Sequence, residues 1–467
     1  MHFTLNLPKQ FGHQAGRCLY LAAACLVCQS SFALTLNEAV ALARGGDPAY
    51  LGAQATLAIA KERATQAFST VLPQVNATGN ANVSHRVYTT DTIPSTTYDE
   101  NFNGKTAQVS LTQPLWRTAN RVAITQSNAA VAQAEYQLAA ADQDLLLRLS
   151  QAWFDVLLAH DQLTFTEGQV IAAKHEWDQL ARAAELGIVG KPVAEEARMK
   201  HEQAVSERAA AESEQAVKFG ALEQVIGPTA FPTLPTLSDQ YLPVDSKNDT
   251  LERWLGVAES DSPAIRAALS ALEAANEEIR KQRAGFEPTL DLTGSYGKNQ
   301  QGTGTYGGQA GYNSTTSSVG LQFNLPIYSG GGQGAKVREA IAAREKALQE
   351  LESSRRTARN QSKQAWYGWQ ASQSRLLASQ QAIQYSVLNL QSALAGMTTG
   401  VKKELDVLKG RQQLYGALRD QARARYEITL NQFRLKAAAG QLQNEDLVGL
   451  DKWLNQPSKG DKPSATP

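Results

Sequence analysis

The chain is written twice, and this constrains its fold more than any other feature. Asp47-Pro48-Ala49-Tyr50 corresponds to Ser262-Pro263-Ala264-Ile265 at an offset of 215, and Val71-Leu72-Pro73-Gln74-Val75 to Phe286-Glu287-Pro288-Thr289-Leu290 at the same offset. Gln113-Pro114-Leu115-Trp116 matches Leu325-Pro326-Ile327-Tyr328 at 212, Ala152-Trp153-Phe154 matches Ala365-Trp366-Tyr367 at 213, and Gly187 matches Gly400 at 213. Matches in constant order at nearly constant spacing mark an internal structural repeat. Residues 34–227 and 249–454 read as the two repeats, and 228–248, with four prolines, as the linker between them.

Each half carries the same order: helix, strand, loop, strand, very long helical region. The first helix opens on the capping box Thr35-x-x-Glu38 and is expected to end before Pro73. Val75, Ala77, Gly79, Ala81 and Val83 then alternate with polar residues, and Ala107, Val109 and Leu111 do so on the return. In the second half Leu290, Leu292, Gly294 and Tyr296 alternate, followed by the clearest stripe, Val319, Leu321, Phe323, Leu325 and Ile327. Such period-two alternation suits a membrane strand with one face in lipid, and it equally suits a half-exposed hairpin. The loops Val87–Gly104 and Gly297–Thr316 are polar and rich in Gly, Thr, Asn and Tyr. Four strands are too few to close a barrel, whose smallest bacterial form has about eight, so a barrel requires several chains.

From Asn120 to Leu186 there is no proline and one glycine, Gly168. Leu145, Leu149, Ala152, Val156, Ala159 and Leu163 step at the coiled-coil spacing, as do Ala365, Trp369, Ser372, Leu376, Ser379 and Ile383. The helices turn near Gly187–Pro192 and near Gly400, and return through Ala194–Val225 and Leu405–Leu442.

Composition removes other classes. Aromatics are only 7% and the formal net charge is zero, so long helices meeting along seams fit better than a thick core, and nucleic-acid binding has no electrostatic footprint. Lys9 and Arg17 precede an apolar run from Leu19 to Val27, and Ser31-Phe32-Ala33 fits signal-peptide cleavage after Ala33, making 1–33 an export signal. Cys18, Cys25 and Cys28 all fall inside it, so Cys25-x-x-Cys28 is no redox or metal pair in the mature chain. A lipoprotein reading would make Cys25 the new N-terminus, but Ala22 stands where that signal usually has Leu. The polar tail 455–467 is expected to be disordered. His85, His160, His175 and His201 lack metal-ligand spacing, Gly302-x-Gly304-x-x-Gly307 opens no helix, and no nucleophile–base pair emerges. No enzyme, cofactor or metal site is expected.

Taken together, Leu34-Thr-Leu-Asn-Glu-Ala-Val, the Leu-Pro and Glu-Pro steps into strands, Leu321-Gln-Phe-Asn-Leu-Pro-Ile-Tyr-Ser-Gly-Gly, Gly400–Leu408 and the run from Ala424 to Gly440 resemble the TolC family of outer-membrane channels over Leu34 to about Leu454. The resemblance implies an α+β membrane protein: a homotrimer sharing a twelve-stranded β-barrel in outer-membrane lipid, continuous with a long periplasmic α-helical barrel. It implies an export duct for proteins or small molecules, working with a periplasmic adaptor and an inner-membrane transporter. Val319, Leu321, Phe323 and Leu325 would face lipid. By the same resemblance the second helical turn forms the periplasmic aperture. Asp406 holds one position of the family's aspartate rings, Lys409 stands at the second, and Lys402 replaces a closing arginine. Val193 and Met397 occupy the positions of that arginine's partners. Asp406 and Lys409 are spaced to neutralise each other, and Glu195 or Glu196 could rewire the closing network. The alternative from another class is a periplasmic coiled-coil scaffold or adaptor, which would lack the strand stripes.

Overall fold

A computed structural model describes residues 34–228, 234–237, 249–302, 311–402 and 404–455. The signal with Ala33, much of the linker, Gly304, Gly307 and the tail beyond Asn455 lie outside the described residues; Asn455 itself, expected in a disordered tail, is paired strand. The fold is mostly helical with one small sheet. Contacts divide it into two compact units: Gly46–Gln151 with Asp245–Gln443, and Ala152–Val244 with the two chain ends.

The unit with the chain ends begins at α1 (Leu36–Gly46). Its capping box forms: the Thr35 N–H donates to Glu38 Oε2 at 3.0 Å, and the Glu38 N–H to Thr35 Oγ1 at 3.2 Å. From the other end of the chain, Asp451 of α9 (Asn444–Asp451) accepts from the Leu36 N–H at 2.8 Å and the Asn37 N–H at 3.1 Å. A carboxylate at a helix N-terminus satisfies donors that have no intrahelical partner. β3 (Thr236–Leu237) pairs with β6 (Leu454–Asn455), joining the C-terminal end to the linker. Leu36, Val40, Trp153, Val156, Leu157, Leu222 and Leu447 are buried.

The other unit holds α2 (Pro48–Ser69), β1 (Gln74–Thr89) and β2 (Thr97–Trp116), which leads into α3 (Thr118–Glu185). Where one helix was expected before Pro73, the chain breaks at Asp47. Pro48 cannot donate a backbone hydrogen bond, and Asp47 caps the new helix by accepting from the Tyr50 N–H at 2.8 Å. Asp47 is buried against Arg148 (Nη1–Oδ2, 2.8 Å), which also pairs with Asp144. The Arg148 guanidinium, aided by the Tyr50 N–H, holds the Asp47 carboxyl below the usual carboxylate range although burial pushes it up.

The second half repeats the order with α5 (Leu251–Asp261), α6 (Pro263–Arg283), β4 (Thr289–Gln301), β5 (Tyr312–Asn324), α7 (Gly332–Thr398) and α8 (Glu404–Ala438). Along α7 the expected seam is buried at Trp369, Ser372, Leu376 and Ser379, against Ala424, Ile428 and Leu435 of α8. Ser372 and Ser379 donate to the carbonyls of Trp369 and Leu376, both at 2.7 Å, so their hydroxyls are satisfied where the helices meet. The return helix ends at Ala438, short of the expected Leu442. Gly440 takes φ +74°, and a Cβ there would stand 2.6 Å from the Asp261 carbonyl oxygen. Only glycine adopts that conformation in that space.

The four strands form one antiparallel sheet in the order β1-β2-β4-β5, so the two halves join directly at β2 and β4. Three expectations are corrected. Residues 87–89 and 97–104 are paired strand, not loop, leaving 90–96 as the turn. Pairing in the second hairpin likewise extends to Gln301 and resumes at Tyr312. Leu325 falls outside β5, which ends at Asn324; the following Pro326 has no N–H to give a ladder.

Candidate functional site

Two surfaces carry the features that the sequence pointed to. The first is the sheet. Residues directly opposite in an antiparallel pair point to the same face. Val75, Leu111, Gly294 and Val319 therefore share a face, as do Ala77, Val109 and Tyr296, and Leu292 and Leu321. Phe323 lies opposite Leu290 on that face. Val319, Leu321 and Phe323 are 82%, 66% and 65% exposed, a patch that water would disfavour. The opposite face reads Asn76, Thr78, Thr112, Ser110, Thr293, Ser295, Gln322 and Ser318, wholly polar. Gln322 thus points away from its neighbours Leu321 and Phe323.

An aromatic and two basic groups mark the sheet's helical end. Arg121 lies 5.4 Å from the Trp116 ring centroid, and Arg117 grips Asp291 through Nε–Oδ1 at 2.8 Å and Nη2–Oδ2 at 2.5 Å. That bidentate pair ties the end of the first hairpin to the start of the second, and sequence spacing gave no sign of it. The nearby Gln113 and Asn120 amides donate to the Val71 and Thr70 carbonyls.

The second surface comprises the helical tips, one in each unit. At the first, Gly187 has φ +73°; its N–H donates to the Ala184 carbonyl at 3.1 Å, and the Ile188 N–H to Ala183 at 2.8 Å. At the second, Gly400 has φ +76°; its N–H donates to Met397 at 3.1 Å, and the Val401 N–H to Gly396 at 2.9 Å. Both are the glycine cap in which two bonds close the last helical carbonyls. Pro192 stands in the first turn of α4 (Lys191–Ile226), where a missing N–H costs nothing.

The charged residues divide between the tips. Asp406 and Lys409 are exposed on the first turns of α8, and Lys402 is half-buried with its aliphatic stem near Gly396. Lys409 has no ion-pair partner among the described residues, so the pair with Asp406 that the spacing allows is not made. Glu195 and Glu196 pair with Arg198 and Lys200 of their own helix, at 3.8 and 3.0 Å. The sequence reading missed the apolar tip residues: Ile188 is 72% exposed and Val401 81%, each just after its capping glycine. Val193 and Met397 are also exposed.

Among the described residues no group of three His, Cys, Asp or Glu side chains could hold a metal, and no helix is long and apolar enough to cross a membrane. The family model described as "Outer membrane efflux protein" matches the chain twice, over residues 39–228 and 254–441. Among its relatives, outer membrane protein TolC of Escherichia coli is 28% identical, covering 91% of this chain and 86% of that protein. Alkaline protease secretion protein AprF of Pseudomonas aeruginosa is 25% identical over 90% and 88%. Among solved structures the Campylobacter jejuni CmeC outer membrane channel shares the fold, with a TM-score of 0.71 at 19% identity over 97% of this chain and 98% of that one. Matched in both halves by the family model and along nearly its whole length by such relatives, the chain belongs to the outer membrane efflux protein family.

Proposed function

We propose that this protein is the outer-membrane exit duct of a tripartite export machine, a homotrimer whose three four-stranded sheets close one twelve-stranded barrel. One observation carries the reading: the sheet ends on two long edge strands, β1 and β5, and exposes an apolar face over the part nearest the helices. In a soluble monomer both features invite aggregation. Edge-to-edge closure by three copies removes the edges and turns the apolar face to lipid, leaving the polar face around a water-filled lumen. The scaffold alternative leaves that face unexplained.

The long helices then form the periplasmic barrel, and the capped tips face a periplasmic adaptor and an inner-membrane transporter, which supplies the energy. The rings of Asp406, Lys409 and Lys402, with the turns at Gly187, Pro192 and Gly400, constitute the aperture; Val319, Leu321 and Phe323 face lipid. Residues 1–33 are removed after Ala33, and the halves 34–227 and 249–454 act as quasi-equivalent staves. The cargo is a secreted protein or a small molecule, as with relatives named for protease secretion and for efflux. The duct itself performs no catalysis.

Arginine substitution at neighbouring positions tests this reading. A lipid-facing Arg near mid-bilayer costs about 2–4 kcal/mol per copy. Leu321→Arg and Phe323→Arg should abolish the detergent-resistant trimer in the outer-membrane fraction, whereas Gln322→Arg should leave it. Equal damage at Gln322 and Phe323, or a wild-type monomer extracted without detergent, would sink the shared barrel.

A further inference from the structure

The apolar face of the sheet stops at a sharp boundary. From the helical end its rows contain Trp116, Leu290 and Phe323, then Leu292 and Leu321, then Val75, Leu111 and Val319, then Ala77, Val109 and Tyr296. The next row places Lys298 between Ala107 and Thr315, and the one beyond places Lys105 opposite Gln300, with Ala81 and Asn313. Leu290 to Lys298 spans ~27 Å along β4 at the usual strand rise, which a barrel tilt of about 40° turns into roughly 21 Å of height, most of a ~25 Å apolar band. The lysines sit on the hairpin-turn side of the band, away from the helices.

Both lysines are exposed, and among the described residues neither has an ion pair or hydrogen bond. No carboxylate shares their rows or the row below. As diagonal neighbours on adjacent strands they stand roughly 7–8 Å apart on one face. From backbone positions that close, the two flexible lysine stems can converge on one anion placed between them.

We propose that Lys105 and Lys298 clasp the phosphorylated headgroup of an outer-leaflet lipid, one site per chain. The inference rests on the shared-barrel reading, which turns this face to lipid and the hairpin turns outward. The continuous apolar surface beneath selects a lipid over a soluble anion. Acyl chains lie along Val319, Val109 and Tyr296 while the phosphate reaches both ammonium groups, and the Gln300 and Asn313 amides are at hand for sugar hydroxyls. Closing the barrel leaves the patch open, because neighbouring chains meet at the strand edges.

The test titrates the purified full-length protein in detergent with bisphosphorylated lipid A and with its dephosphorylated counterpart, counting lipids per trimer by native mass spectrometry. Wild type should retain the phosphorylated lipid selectively. Lys105→Gln with Lys298→Gln should weaken retention about 25-fold, about fivefold per lysine, while the double Arg variant retains it. Raising salt should weaken binding to wild type more than to the Gln variant. A Gln variant that is trimeric, conducts in planar bilayers and still holds the lipid as wild type does would overturn the site and leave the duct intact. Equal retention of the dephosphorylated lipid, or displacement by inorganic phosphate at the lipid's own concentration, would overturn headgroup recognition. A wild type that neither trimerises nor conducts overturns both readings, and the lost conductance distinguishes that case.

Discussion

The two halves of the chain repeat the same elements but stabilise them by different chemistry. In the first half Asp47 and Arg148 form a buried-to-surface ion pair; their counterparts by the repeat are Ser262 and Gln361. Ser262 is buried and caps α6 by position alone, without a side-chain hydrogen bond, and it lines with Gln361 a cavity of about 540 Å³. A second pair follows the same rule. Lys218 reaches Asp155 at 3.4 Å, whereas at the corresponding places the Asn431 amide donates to the Gly368 carbonyl at 3.3 Å. At these two places charged contacts of the first half are replaced by neutral ones in the second, while at Arg375–Glu427, whose counterparts are Gln162 and Glu214, the exchange runs the other way. The repeat preserves helix, hairpin and turn, and leaves the polar contacts free to diverge.

The largest expected difference lies at the caps. Asp47→Ala removes a cap and the buried one of Arg148's two carboxylate partners, leaving only Asp144, so it should cost about 2 kcal/mol, against under about 0.5 kcal/mol for Ser262→Ala. Denaturant midpoints of the detergent-solubilised protein would show it, and equal losses would erase the contrast. Because the folded Asp47 carboxyl titrates below its unfolded value, its contribution is complete above the ordinary carboxylate range and lost as pH falls through the depressed value. The Asp47→Ala protein should therefore lose less stability on acidification than wild type does.

At the tips the halves should behave alike. Gly187→Ala and Gly400→Ala each meet open space, so only the left-handed backbone opposes them, at a cost of about 1 kcal/mol. Hydrogen exchange at residues 183–189 and 396–402 should rise to a similar degree in both. A change at only one tip would show that its cap is held by something besides its own bonds.

The smallest effect on stability, and the one nearest to function, concerns tip charge. Lys409→Asp should raise cation preference in planar bilayers and bring block by divalent cations, and Asp406→Asn should shift preference toward anions. Glu195→Gln in the first half, where Arg198 engages the carboxylate, should leave selectivity unaltered. The shifts should shrink at 1 M salt, where the Debye length is about 3 Å. Unchanged selectivity in both second-half variants would remove Asp406 and Lys409 from the constriction.

Much of this was legible in the sequence because period and punctuation are local. The capping box at Thr35, the heptad steps through Trp369 and Leu376, and the glycines at 187 and 400 each specify their structure within a few residues. The outer parts of the first hairpin were not legible: from Val83 to Asn103 both faces carry polar residues, so alternation vanishes while the backbone ladder continues. Tyr88 and Tyr98, stacked 5.0 Å apart, help hold that ladder, and nothing in their spacing announces it. Arg117–Asp291 and Leu36–Asp451 join residues far apart in sequence, which no window of periodicity can pair.

The strand count has a consequence of parity. Each of β1, β2, β4 and β5 runs opposite to its neighbour, so with four of them the first and last edges point in opposite directions. A second copy brought alongside by rotation alone presents its β1 antiparallel to the free β5, and so does every copy after it. Three or five strands per chain would place a parallel seam at each junction, with slanted bonds in a wall otherwise built of perpendicular ones. An even number lets identical chains close a ring whose joints between molecules have the same geometry as the joints within them.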